Sequence, residues 1–268
     1  MYLMLLIFFT VCAKIRILQY DLILLHWFLL YIKIQGCFFM IGIIGAMHIE
    51  VETIKSLMEN KIVETISGVD YVKGKLHGKD IVIAVCGIGK VAAAMCAQTM
   101  ILKYAPEYII NTGVGGSLSI KLAIGDIAVA ESLVQHDMDT SPLGDPIGLI
   151  SGINIVNIPA DKKVIDLLSK GIETLENVKG LRGVIASGDQ FIANNEKKKF
   201  ITENFDAIVC EMEGASIAQV CYTNGVPFGV VRAVSDCADG SSHMDYGEFL
   251  PVAAANAAKL IEFFVVNS

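Results

Sequence analysis

The chain runs to 268 residues, enough for one large α/β domain or two small ones. It carries 28 acidic against 21 basic residues, a formal net charge of −7 at pH 7; with no extended basic run, this argues against nucleic acid or an anionic membrane surface as a partner. The mean hydropathy of +0.57 comes disproportionately from residues 1–39, whose only charges are Lys14, Arg16, Asp21 and Lys33, so residues 40–268 hold a net −9.

That opening segment has charge-free runs over 1–13 and 22–32, both short of the ~20 residues a membrane-spanning helix needs. A secretory signal places positive charge before its apolar core, whereas Lys14 and Arg16 follow the first run. The expectation is that Met40 is the true start and that 1–39 is an extension outside the working domain, 40–268. The alternative is a membrane leader, which would give the protein a membrane partner only if 1–39 is expressed and retained. The seven cysteines (Cys12, Cys37, Cys86, Cys96, Cys210, Cys221, Cys237) form no CxxC pair and sit mostly in apolar stretches. They read as reduced, buried thiols of a cytoplasmic protein rather than a disulfide framework.

From Met40 the pattern alternates strand, polar break and helix. Ile41–Ile44 is a short strand ending in Gly45-Ala46-Met47, and His48–Asn60 reads as a helix with Ile49, Thr53, Ile54 and Leu57 on one face. Tyr71–Leu76 and Ile81–Val85, joined by His77-Gly78, look like a hairpin. Gly87-Ile88-Gly89-Lys90 opens an alanine-rich helix through Lys103. Tyr108–Asn111 is a strand ending in Thr112-Gly113-Val114-Gly115-Gly116, and Asp126–Ala130 another, leading to His136-Asp137-Met138-Asp139. A Pro/Gly-rich loop over 140–160 precedes a helix, Asp161–Thr174, and a strand, Arg182–Ala186. Lys197–Lys199 reads as a solvated helix face. Ala207–Cys210 and Phe228–Val234 are apolar strands, each closing on polar residues: Glu211-Met212-Glu213 and Ser235-Asp236. An alanine-rich helix, Tyr246–Val266, ends the chain. No fixed-period repeat or linker interrupts this order, so the reading is one α/β domain around a central sheet. Acids at the carboxyl ends of buried strands lie where open α/β folds bind ligands, and polar groups are costly there without a task.

The glycine turns are not a nucleotide fingerprint. Position 84 is alanine where a phosphate loop wants its first glycine, and no G-x-G-x-x-G follows a strand. Backbone N–H groups there suit a nucleoside-sized ligand better than a triphosphate. His136, Asp137 and Asp139 lack a second histidine at metal-ligand spacing, and read as a structural polar cluster or subunit contact. Glu50 in a first helical turn is also simply good dipole placement; Glu213 could cap the helix that follows it, and Asp236 could merely end a strand.

Four blocks, Gly42–Glu50 (GIIGAMHIE), Gly87–Ala93 (GIGKVAA), Glu211–Gly214 (EMEG) and Val231–Asp236 (VRAVSD), with SGDQFI at 187–192, resemble in order and spacing the 5′-methylthioadenosine/S-adenosylhomocysteine nucleosidases of the nucleoside phosphorylase superfamily. The likeness covers 40–268 and none of 1–39. It implies a single domain with a twisted mixed β-sheet flanked by helices, a homodimer, a small-molecule nucleoside substrate, and no metal or organic cofactor. It implies hydrolysis of the bond between adenine and a 5′-thio-substituted ribose. Asp236 matches the family acid that protonates adenine N7, Glu213 the carboxylate on the ribose hydroxyls, Glu50 the base that activates water, and Arg232 the residue that helps hold that water. Phe191 matches the aromatic stacked on adenine, with Ile192 and the Phe191 backbone at the base edge. Met47, Ile88, Met212 and Tyr246 match positions around the sugar and its 5′-substituent, where a sulfur group wants soft apolar walls. Gly116 and Ser235 complete the substrate-binding set. Two departures stand out. Val114 replaces a hydroxyl residue that touches the water in some members, and Leu143 replaces a phenylalanine that crosses the dimer interface. The nearest rival is a phosphorylase of the same superfamily; nucleosidases acting on AMP or futalosine, or a nucleoside sensor anchored by 1–39, are further alternatives.

Overall fold

The computed structural model describes residues 40–236 and 242–268. The segment 1–39 and the side chain of Tyr246 lie outside the described residues. β1 (Met40–Gly45) is buried on both faces and alternates accordingly: Ile41 and Ile43 face one core layer, Ile44 the other. Gly42 shares the face of Ile44, where Met100 approaches so closely that a Cβ would sit 2.5 Å from its Sδ. β1 pairs in parallel with β4 (Lys79–Val85) on one edge and β5 (Tyr108–Ser117) on the other. Beyond β4 the sheet continues antiparallel through β3 (Val69–Leu76) to β2 (Glu59–Ile66).

On the other side the sheet closes. β5 pairs in parallel with β10 (Phe228–Asp236), which runs antiparallel to β6 (Ile127–Gln135). β6 is parallel to β8 (Gly180–Ser187) and β8 to β9 (Ala207–Glu211), and β9 returns antiparallel to the end of β5. Five strands thus form a ring from which β1, β4, β3 and β2 extend, with the two-residue β7 (Ile158–Pro159) added to β6. The mixed twisted sheet is as expected; its closure into a ring has no signature in the hydropathy pattern.

α1 (His48–Leu57), α3 (Lys162–Ile172) and α6 (Ser242–Asn267) cover one face, and α2 (Lys90–Tyr104) and α5 (Gly214–Asn224) the other. α4 (Asn195–Phe205) closes a small third cluster over β8 and β9. α6 is long and apolar enough to cross a membrane over Phe249–Asn267, yet Ala253, Ala257, Leu260, Ile261 and Phe264 are buried in the core layer shared with α1 and α3.

Several boundaries differ from the sequence reading; the strand expected over Asp126–Ala130, for one, runs on to Gln135. α1 stops at Leu57, and Glu59–Ile66 is a strand, not the end of a helix and a loop. Its residues are almost all exposed, so no buried alternation announces it. The glycine-rich stretch 112–116 is not a turn but the second half of β5. The strand Phe228–Val234 continues to Asp236. Leu260 packs against Gly171 so tightly that a Cβ on that glycine would lie 2.5 Å from Leu260 Cδ1. Leu260→Ala should therefore lower unfolding stability by about 2–5 kcal/mol, read as a drop in urea midpoint at unchanged m value.

Candidate active site

A cavity of about 590 Å³, counting space open to solvent at its mouth, lies at the carboxyl ends of these strands. Glu50, Glu211, Glu213 and Asp236 all line it, and each is less than 8% exposed. Four acids in so little water need specific partners.

Glu50 enters from the first turn of α1. Its Oε2 accepts the N–H of Ala46 at 2.7 Å and Met47 at 2.9 Å, and its Oε1 accepts that of Val114 at 3.1 Å. The carboxylate thus sits on the donors of a helix N-terminus and crosses to the middle of β5. The glycines of β5 make the crossing possible, since a Cβ on Gly113 would lie 2.6 Å from Glu50 Oε1. Burial pushes the Glu50 carboxyl above its ordinary range, opposed by the Arg232 charge and the three backbone donors.

The Glu211-Met212-Glu213 segment joins β9 to α5. Although Glu213 occupies the N-cap position, its side chain does not cap the helix. Glu211 does so, with its carboxylate accepting the N–H of Glu213 at 3.0 Å and of Gly214 at 2.8 Å. The Ser187 hydroxyl donates to Glu211 Oε1, and Arg232 Nη2 donates to Glu211 Oε2. Glu213 is left facing the cavity, with Oε1 accepting the Gly89 N–H at 2.9 Å. Burial, then the Glu211 charge, push its carboxyl up to about 7.

Arg232 is 1% exposed and stands behind this wall rather than in it. Its guanidinium donates to Glu211, to Asn111 Oδ1 at 2.6 Å and to Val231 O at 2.9 Å, with Glu213 Oε2 at 3.9 Å. Burial works against its charge, but Glu211, Glu213 and Glu50 together hold it protonated.

Asp236 closes β10 and accepts a 2.9 Å hydrogen bond from the Ser235 hydroxyl. Adjacent residues of a regular strand face opposite ways, yet Ser235 and Asp236 both line the cavity. A register shift between Val234 and Asp236 opposite β5 explains this.

Of the remaining sequence-derived residues, Met47, Ile88, Gly116, Phe191, Ile192 and Met212 line the cavity. Val114 does too, presenting an apolar side chain beside Glu50. Sequence reasoning noted Glu211 without giving it a place in the site, and it passed over Gln190 and Cys210 on the wall. It also passed over Asn111, whose Nδ2 donates to Ile44 O at 2.9 Å and so braces Arg232 on β1. A second acid one turn ahead of a helix was the available signal for Glu211; a lone asparagine in an apolar strand was the one for Asn111. Asp137, from the histidine–aspartate cluster, pairs with Lys90 at 2.6 Å, and Asp139 accepts the Ser141 N–H at 2.8 Å.

The strand ends of this closed mixed sheet carry buried carboxylates and an aromatic side chain, and the family model described as the phosphorylase superfamily matches residues 40–265. A 5′-methylthioadenosine/S-adenosylhomocysteine nucleosidase of Shewanella halifaxensis is 42% identical over 222 residues, spanning 82% of this chain and 96% of the relative. The Neisseria meningitidis nucleosidase of that name, solved with methylthio-immucillin-A, superposes with a TM-score of 0.82 at 34% identity over 85% of this chain and 98% of its own. The futalosine hydrolase of Helicobacter pylori superposes with the same TM-score at 36% identity, over 86% and 99%. The chain belongs to the 5′-methylthioadenosine/S-adenosylhomocysteine nucleosidase family of the phosphorylase superfamily.

The raised Glu213 carboxyl makes stability depend on pH. The native state holds this proton until about pH 7, while an unfolded glutamate releases it near 4.3. The folded state therefore binds more protons in that window, and this group's contribution is full below pH ~4 and lost as pH rises through ~7. Melting temperature should decline between pH 5 and 7.5 more steeply in the parent than in Glu213→Gln; parallel slopes in a calorimetric series would contradict this.

Proposed function

We propose that the protein hydrolyses the N-glycosidic bond of 5′-methylthioadenosine and S-adenosylhomocysteine, giving adenine and the corresponding thio-substituted ribose. The observation that carries the choice of water over phosphate is the charge of the cavity. Its wall holds four acidic side chains and, among the described residues, no lysine or arginine. The backbone donors at the α1 N-terminus that could cradle an anion are filled by Glu50.

In this reading Glu50 takes a proton from the water as its oxygen bonds to C1′ and the C1′–N9 bond breaks. Asp236 delivers its proton to adenine N7, so the base leaves neutral. Glu213 holds the ribose hydroxyls, and the nearby carboxylates favour the positive charge developing on the sugar. Arg232, behind the wall, keeps Glu211 and Glu213 in place rather than touching the water. With a valine at 114, the water has no hydroxyl contact from that position. Phe191 stacks on adenine, Ile192 meets its edge, and Met47, Ile88 and Met212 surround the sugar and the sulfur.

The protein is further proposed to work as a homodimer. Val91, Met95 and Leu102 are strongly exposed on one side of α2, which begins two residues after the cavity-lining Ile88, and Leu143 is exposed on the Ser141–Leu143 turn. Four free cysteines, Cys86, Cys96, Cys210 and Cys221, are buried, which suits a reducing compartment such as the cytoplasm.

The deciding assay follows adenine release from methylthioadenosine, adenosylhomocysteine, 5′-deoxyadenosine and inosine in phosphate-free buffer. Turnover of the two thio-nucleosides without phosphate is expected; strict dependence on added phosphate would replace the hydrolase with a phosphorylase. Asp236→Asn should cut kcat by about 10²–10⁴ while leaving nucleoside binding measurable, and Glu50→Gln should fall comparably. An unchanged rate in either variant moves that proton-transfer role to another residue.

A further inference from the structure

Three segments that share no secondary structure meet beside the cavity: the turn 86–89 after β4 and residues 187–192 after β8, which supply Ile88, Gln190, Phe191 and Ile192 to its wall, and residues 135–139 at the end of β6, which supply none. Lys90 is bonded to both of the other two. Its backbone N–H donates to Asp189 Oδ1 at 2.8 Å, and its ammonium donates to Asp137 Oδ1 at 2.6 Å and Gln135 Oε1 at 3.1 Å. Asp137 Oδ2 then accepts the Asp189 N–H at 2.9 Å, which closes the cycle. Gly89 allows this close approach: its φ is +101°, and a Cβ there would meet Asp189 Oδ1 at 3.0 Å.

None of Lys90, Asp137 and Asp189 lines the cavity, but Lys90 and Asp189 each lie within two residues of a group that does. Gly89, one residue before Lys90, donates to Glu213. Phe191 lies two residues after Asp189, and Ile88 lines the same cavity from the other segment. The Lys90 and Asp137 side chains are 18% and 16% exposed. An ion pair so largely removed from water holds its geometry far more firmly than a surface pair. On Asp137, burial acts to raise the carboxyl, but the Lys90 hydrogen bond, the Asp189 amide and the Lys90 charge outweigh it and keep the carboxyl ionised.

We infer that Lys90 is a positioning residue for substrate. Through Asp137 and Asp189 it clasps the wall that carries Ile88 and the Glu213 donor to the wall that carries Phe191, fixing the width of the slot into which base and sugar fit. The inference rests on the nucleosidase reading. Glu50 and Asp236 stand on α1 and β10, outside the clasp, so loosening it degrades binding before it degrades proton transfer.

Lys90→Met should raise KM for methylthioadenosine by about tenfold or more while kcat stays within about threefold. Its affinity for adenine, measured by titration calorimetry, should weaken by a similar factor. Asp137→Asn, which keeps the side-chain shape, should move both quantities the same way, and Lys90→Arg should recover most of the loss. Lys199→Met, at an exposed lysine on α4, should change nothing. A pair that serves only stability would lower the melting temperature and the active fraction with KM unmoved. A folded Lys90→Met or Asp137→Asn protein with KM and adenine affinity within twofold of the parent overturns the inference. Failure of the parent itself to release adenine would count against the nucleosidase reading instead.

Discussion

Glu211 and Arg232 meet with both side chains 1% exposed, and the remaining charges of the site are arranged on that contact. Three more carboxylates crowd the same cavity, and without a buried cation behind them their mutual repulsion and desolvation would be prohibitive. Arg232 answers the charge from β10, while Glu211, on β9, also takes the free N–H groups of α5 and the Ser187 hydroxyl. Gly115 of β5 lies between the two strands with no side chain to intrude; a Cβ there would fall 2.6 Å from Val209 and 3.5 Å from Arg232 Cβ. Removing one member of such a pair leaves the other charged and buried, a loss of about 3–5 kcal/mol. The pair is made only where β9 and β10 stand on either side of β5.

Within that frame, irregular backbone sets the direction of each reacting group. A register shift turns Ser235 and Asp236 to the same side. A left-handed Gly89 aims an N–H at Glu213. The turn before α1 supplies, at Ala46 and Met47, the donors that hold Glu50. The chemistry therefore depends on side chains at strand ends, but their orientation depends on positions that carry no functional group.

The strands buried on both faces were legible because continuous apolar runs such as Ile81–Val85 and Phe228–Val234 admit few other readings. The acids were legible as strand-end anomalies, and the family motifs related them to one another. What escaped was set by partners far along the chain. The glycines of 112–116 read as a turn, yet their small size serves the approach of Glu50 and Val209 to an extended strand. β2 escaped because an exposed edge strand needs no apolar alternation. The capping role offered to Glu213 went to Glu211, since both residues look alike until Arg232 and Ser187 are placed. Lys90 read as the end of a glycine turn, with nothing local to show that Asp137 and Asp189 would converge on it.

The ring has a consequence at the opposite end of the sheet. Closure of β10 on β5 leaves no open edge on that side, so β2 presents the long free edge, with Ile62 and Val63 strongly exposed. Such an edge invites strand addition from a neighbouring molecule. Here it is guarded by the charges of Glu59, Lys61 and Glu64 and by an irregularity between Glu59 and Ile62 that breaks the ladder. The polar residues of a strand remote from the cavity are thus constrained by what they prevent.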